Sequence, residues 1–107
     1  SPDQSLYECY ENKKPVSYSI VKHGLIGLTK YLATYWADKN IRVNALSPGG
    51  VYDNQDKVFI QKIRKKIPLN RMLKKEEIRS TIQYLCTDAS SYMTGQNIIL
   101  DGGRSIL

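Results

Sequence analysis

The sequence is poor in the side chains that build metal sites and disulfide frameworks. It has one histidine, His23, and two cysteines, Cys9 and Cys86, far apart and without ligand spacing. That is too few soft ligands for a zinc centre, so no metal is expected. The same cysteine usage predicts free thiols in a reducing compartment, the cytoplasm, over a cross-link. No apolar run approaches bilayer length and no leader pattern is visible, so no membrane partner is expected. Also missing is any Gly-x-x-x-Gly-x-Gly element, the turn whose backbone amides cradle a pyrophosphate. The chain opens Ser1-Pro2-Asp3-Gln4 without methionine, which reads as the interior of a longer product.

What remains is ordinary globular material: 107 residues, 41% hydrophobic and 24% charged, enough for one small domain or part of a larger one. A chain this short buries proportionately little surface, so a self-sufficient core is not generous. The net charge of +6 is concentrated in Lys57, Lys62, Arg64, Lys65, Lys66, Arg71, Lys74 and Lys75. Such a stretch attracts polyanions in general. No nucleic-acid motif accompanies it, however, and no aromatics interleave with it as a base-stacking platform requires. It is read as a solvated helix face, and no nucleic-acid partner is expected.

Residues 1–16 are polar and turn-rich and read as a loop. From Ser17 to Lys39 the spacing predicts one long helix, with Val21, Leu25, Leu28, Leu32 and Trp36 forming an apolar stripe. Ser17 is its expected N-cap and Asn40 its stop. Gly24 and Gly27 cost helix stability, which suggests a close approach on that face. Ile41 to Leu46 reads as a short strand ended by Ser47-Pro48-Gly49-Gly50. A second helix is expected over Asp56 to Lys66, with Val58, Phe59, Ile63 and Ile67 as its apolar side and Pro68 as its stop. A third covers Lys75 to Thr87, with Ile78, Ile82 and Leu85 on one face and Glu76 and Glu77 at the positive end of its dipole. A last strand follows at Asn97 to Leu100. Three helices alternating with two short strands indicate an α/β layout with a parallel sheet.

The chemistry is expected from Tyr18 and Lys22, which share a helix face one turn apart. A lone phenol is a poor proton donor or base at neutral pH, and a nearby ammonium stabilises its phenolate. Such a pair can protonate a carbonyl oxygen as hydride reaches the carbon, or do the reverse. Alone the motif says little, because with 8 Tyr in the chain, Tyr10/Lys14 and Tyr35/Lys39 share the spacing. Tyr10 runs into Pro15, and Tyr35/Lys39 falls at a helix end. Only Tyr18/Lys22 occupies a first helical turn followed by glycines.

The order of four segments carries more weight. Tyr18-Ser19-Ile20-Val21-Lys22-His23-Gly24 resembles the active-site helix of the short-chain dehydrogenase/reductase family. Ile41-Arg42-Val43-Asn44-Ala45-Leu46-Ser47-Pro48-Gly49 resembles its next strand and Asn-x-x-x-Pro-Gly loop. Pro68-Leu69-Asn70-Arg71-Met72 is similar to its Pro-Leu-x-Arg segment, and Met93-Thr94-Gly95-Gln96 with Leu100-Asp101-Gly102-Gly103 to its C-terminal strand. The resemblance implies the C-terminal portion of a Rossmann-type doubly wound parallel sheet, with residues 1–107 forming part of a single NAD(P)-binding domain whose N-terminal dinucleotide-binding half lies outside the chain. It implies Tyr18 as proton donor or acceptor. Lys22 would favour the phenolate and hold the nicotinamide ribose. The backbone at Pro48, Gly49 and Val51 would support the nicotinamide of NAD or NADP, and Asn44 would be structural. It further implies a small-molecule substrate and a homodimer or homotetramer, paired through the long helix.

Two departures stand out. Asp53 occupies the position where the family usually has a threonine that helps hold the carboxamide. The family's catalytic serine follows an apolar strand, which Ser5 does not, so that serine is expected upstream of Ser1. Within the family, Pro48-Gly49-Gly50-Val51-Tyr52-Asp53-Asn54-Gln55 and the long loop before Tyr18 look most like oxidoreductases of flagellin modification and nonulosonic acid synthesis. Ketoacyl-carrier-protein reductases are the nearest alternative. A different class also stays open: a truncated or split product whose two-stranded sheet, bare at one edge, only pairs with a partner chain. A small nucleic-acid binder rests on net charge alone.

Overall fold

The computed structural model describes residues 16–106. Helix α1 spans Val16–Tyr35. It already contains Ser17, so the expected N-cap is an interior residue, and it ends four residues before Lys39. The ending has a local cause. Lys39 N–H donates to the Trp36 carbonyl at 3.0 Å and Asn40 N–H to Ala37 at 3.3 Å, tightening the ladder into a 3-10 turn. Asn40, with φ 59°, then takes the left-handed conformation that closes it.

Strand β1, Ala45–Pro48, pairs in parallel with β2, Asn97–Leu100, in a register running from Ala45↔Asn97 to Pro48↔Leu100. β2 lies where the sequence puts it, whereas β1 starts four residues later than Ile41. Residues 41–44 are held by other bonds. The Arg42 guanidinium donates to the carbonyls of Met93, Leu85 and Thr87, at 3.2, 3.1 and 3.4 Å. The Asn44 amide donates to Met93 O and accepts from Gln96 N–H, at 3.0 and 3.1 Å. Side chains thus share the work with the backbone here, where Gly95 N–H also donates to Val43 O at 2.7 Å, and Asn44 has the structural role expected of it.

Pro48 does not end the strand but belongs to it. Ala45 N–H donates to Gln96 O at 2.8 Å and Gly49 N–H to Leu100 O at 2.7 Å, so alternate residues face β2. Pro48 presents its backbone to the opposite edge, where a missing donor removes nothing from the ladder.

Helix α2 covers Lys57–Arg64, with the Asp56 carboxylate accepting from Val58 N–H at 2.7 Å as its N-cap. It stops before Pro68 is reached, because Lys66 and Ile67 already bond three residues back, to Ile63 and Arg64. Helix α3 covers Lys75–Leu85, two residues short of Thr87. The Glu77 carboxylate reaches back to Lys74 N–H at 2.9 Å and satisfies its first turn.

Ile63, Ile67 and Met72 are buried, with Phe59 and Ile60 packed against them, whereas Val58 is exposed. This small core lies directly beneath Gly50: a Cβ there would stand 2.9 Å from Ile63 Cδ1 and 3.1 Å from Met72 Cε. A second contact lets α1 rest on the turn before β2, where buried Ala33 approaches Gly95. Among the described residues the expected stripe on α1 finds no such cover. Val21, Leu25 and Leu28 are exposed, as are Val16 at 76% and Ile20 at 66%; only Leu32 and Trp36 are half-buried. Among the described residues nothing lies within 4 Å of a Cβ built at Gly24 or Gly27.

Gly102 combines φ +65° with a Cβ position 2.7 Å from Ile67 Cγ2. Gly102→Ala is therefore expected to cost about 1–3 kcal/mol, through backbone strain and a clash with the core. A thermal melt checks this: an unchanged Tm would show that the turn rearranges freely.

Candidate active site

The first turns of α1 carry Tyr18 and Lys22, and the helical repeat brings them together. Lys22 Nζ stands 5.4 Å from the centroid of the Tyr18 ring, in cation–π geometry. Tyr18 is 38% exposed, so the ring is not sunk in the core. Of the competing pairs, Tyr10/Lys14 lies outside the described residues. Tyr35 is the last residue of α1, stacked on Tyr31 at 5.9 Å and set edge-on to Trp36 at 6.0 Å. Lys39 lies beyond that helix end, in the 3-10 turn. His23 shares its Nδ1 with the Ser19 carbonyl at 2.8 Å, inside the helix.

The second group is the loop after β1. At Gly49 a Cβ would come within 3.1 Å of Asp101 Cα, tighter than ordinary van der Waals contact, so the chain passes close over the end of β2. Val51 forms an isolated parallel bridge with Leu73. Leu73 N–H donates to Gly50 O at 3.0 Å, and Tyr52 N–H donates to Leu73 O at 2.8 Å. α1 packs along β1, so the helix bearing the tyrosine and the strand feeding this loop are neighbours. Asp53, at the departure noted in the sequence, turns an exposed carboxylate toward Lys75 Nζ at 3.4 Å.

Behind the loop opens a cleft of about 360 Å³, lined in part by Gly49, Gly50, Leu73, Leu100, Arg71 and Glu77. Its wall holds the strongest electrostatic feature among the described residues. Arg71 donates from both terminal nitrogens to the two Glu77 oxygens, at 2.7 and 2.9 Å. The Arg71 hydrogen bond, then the Lys74 backbone N–H, hold the Glu77 carboxyl down at about 2, and Glu77 in turn raises the Arg71 guanidinium. The cleft's arginine is thus already neutralised. Asp101 is also held below the usual carboxylate range, first by the Ser105 hydroxyl and then by the backbone amides of Ser105 and Gly103. Sequence reasoning placed Arg71 and Glu77 in separate motifs and missed the pair; a six-residue spacing across a turn carries no recognisable signal.

The sequence profile described as enoyl-(acyl carrier protein) reductase matches residues 7–105. Post-translational flagellin modification protein A of Campylobacter coli is 39% identical over 100 residues, which are 91% of this chain and 39% of that protein. The 3-oxoacyl-(acyl-carrier-protein) reductase FabG of Thermotoga maritima is 41% identical over 106 residues, 95% of this chain and 43% of that protein. Among solved structures, a short chain dehydrogenase from Leptospira borgpetersenii with bound NAD+ superposes with a TM-score of 0.86 at 40% identity, covering 97% of this chain and 39% of that one. A 4-hydroxyisoleucine dehydrogenase complexed with NADH gives 0.83 at 31% identity, over 92% and 43%. The chain belongs to the short-chain dehydrogenase/reductase family, and its α/β fold is that of these Rossmann-type relatives. It spans about two fifths of the length of the curated relatives it matches. No helix among the described residues is long and apolar enough to cross a membrane. Cys86 is a free, exposed thiol, and Cys9 lies outside the described residues.

The Glu77 carboxyl, lowered from 4.5 to about 2, sets a pH window. A carboxyl depressed in the folded state stabilises above its unfolded value, and that contribution is lost as pH falls through the folded value. Glu77→Gln should therefore narrow the stability gap between pH 4.5 and about 2, as read by acid unfolding followed by circular dichroism. Equal acid sensitivity in variant and parent would contradict this.

Proposed function

We propose that this chain is the C-terminal part of an NAD- or NADP-dependent oxidoreductase that interconverts an alcohol and a carbonyl. The observation that carries the reading is the ammonium of Lys22 over an exposed Tyr18 ring in the first turns of α1. Family membership supports it, as do the solved relatives with bound NAD+ and in complex with NADH. The nicotinamide cofactor, when bound, supplies or accepts the hydride.

The remaining work falls to this chain's own groups. The Tyr18 hydroxyl gives a proton to the carbonyl oxygen in reduction and takes it back in oxidation. Lys22 stabilises the phenolate left behind and reaches the ribose hydroxyls. The backbone at Pro48, Gly49 and Val51 supports the nicotinamide. What favours the fit at the nicotinamide end is a tight loop without side chains at Gly49 and Gly50, fed by the strand that α1 contacts. The fit stops at the pyrophosphate, because the chain has no Gly-x-x-x-Gly-x-Gly turn. Residues 1–107 are accordingly part of one dinucleotide-binding domain, completed by a segment outside them.

For the substrate, 39% identity to a flagellin modification protein favours a sugar-like small molecule, and the enzyme acts in the cytoplasm as a homodimer or homotetramer. The bare apolar face of α1 supports the subunit pairing. A second reading, a ketoacyl-carrier-protein reductase, is favoured by 41% identity to FabG. Reduction of a ketoacyl thioester by the complete enzyme, with no turnover of keto sugars, would decide for it. The open edge of β1 keeps a third reading in play, a split product that only pairs with a partner chain.

In the complete enzyme, Tyr18→Phe is expected to lower kcat by about 10²–10⁴, with cofactor affinity nearly unchanged. Retained turnover would remove Tyr18 from its role. The 107-residue chain alone is expected to bind neither NADH nor NADPH in a calorimetric titration, and micromolar affinity would contradict the division of labour proposed here.

A further inference from the structure

We propose that Gln55 is a positioning residue for the cofactor, a side-chain clasp that holds the loop Val51–Gln55 in its binding shape before any ligand arrives. The inference rests on the function proposed above, in which Val51 supports the nicotinamide.

The loop begins under backbone control, with Val51 bridged to Leu73 and Tyr52 N–H bonded to Leu73 O. After Tyr52 that support ends. Two backbone groups inside the loop, the Val51 carbonyl and the Asp53 N–H, are taken up by a single side chain. Gln55 Nε2 donates to Val51 O at 2.7 Å, and Gln55 Oε1 accepts from Asp53 N–H at 2.8 Å. A primary amide is suited to this because it offers a donor and an acceptor from one planar group. Gln55 is half-buried, whereas Tyr52, Asp53 and Asn54 between the clasped groups are exposed. The reversal needed to close so small a ring is taken at Asn54, whose φ is +54°. The Tyr52 hydroxyl donates across the same turn to Asn54 Oδ1 at 2.9 Å. Asp56 follows immediately and caps α2, so the clasp couples the loop to a helix anchored on the Ile63 core.

The Val51 peptide is therefore oriented from both sides, by Leu73 on one and by Gln55 on the other. A loop fixed in advance binds without the cost of ordering it. Gln55 touches no reacting atom in this scheme, so its loss weakens cofactor binding and leaves the chemical step alone.

The test uses the complete enzyme with Gln55→Ala and with Gln55→Met, which keeps the bulk and loses both hydrogen bonds. NADH and NADPH titrations, steady-state kinetics and amide exchange at Asp53 are the readouts. Both variants are expected to keep the parent Tm, exchange the Asp53 amide faster, and bind the cofactor on the order of tenfold more weakly. Their kcat at saturating cofactor should match the parent's. If Gln55→Met binds the cofactor as the parent does, or if kcat falls while affinity holds, the positioning role is overturned and the proposed function survives. A parent enzyme that binds neither dinucleotide overturns the proposed function, and the role of Gln55 with it.

Discussion

The parallel pairing of β1 with β2 is the constraint on which the rest of this structure depends. It joins Ala45–Pro48 to Asn97–Leu100 across some fifty residues of chain, and its register sets where the intervening helices lie. Gly49 continues the ladder by one bond, to Leu100, and passes so close to Asp101 that a side chain would crowd its backbone. From that crossing the loop turns over the Ile63, Ile67 and Met72 core, and the Val51–Leu73 bridge extends the order beyond the sheet. The loop and the segment leading into α3 are tied to each other separately, through Gly50, Tyr52 and Leu73. Fifty residues is a costly loop to close for four paired positions, which is why so much of the support comes from side chains. Arg42 alone binds three carbonyls, from Leu85 at the end of α3 to Met93 before β2.

The same economy explains how little is buried. Among the described residues the core beneath the loop is three residues with two flankers, and no large side chain of α1 is fully buried. A helix with Val21, Leu25 and Leu28 exposed along one side is amphipathic in sequence but has only Ala33 closely packed at its far end. Its N-terminal half, which bears Tyr18 and Lys22, is held in place by the continuity of the helix itself. The helix is fixed at one end and carries Tyr18 and Lys22 on its other half, and the exposed apolar stripe is the surface against which further packing would steady it.

Much of this was legible in advance, and the errors have consistent causes. β2 and, to within a residue, the starts of α2 and α3 lie where the sequence puts them because their signals are local: a helical run opening at Asp56, Glu76 and Glu77 at the positive end of α3, and a short apolar run before Asp101-Gly102-Gly103. β1 was placed too early because Ile41 and Val43 have strand-like side chains. Whether a strand forms also depends on its partner, and opposite them stands a turn. Pro48 was read as a terminator because its alternation relative to β2, unlike its chemistry, depends on register. Periodicity marks the α1 stripe as amphipathic without reporting what covers its apolar side.

The sequence by itself determined the family, the order of elements and the pairing of Tyr18 with Lys22, since each follows from residue type at short range or from helical repeat. Tertiary structure alone decided which glycines are indispensable, how Arg71 meets Glu77, and that Gln55 closes the loop on Val51. Those depend on distances between groups that no local periodicity relates, and a chain reveals them only once its strands have set the register.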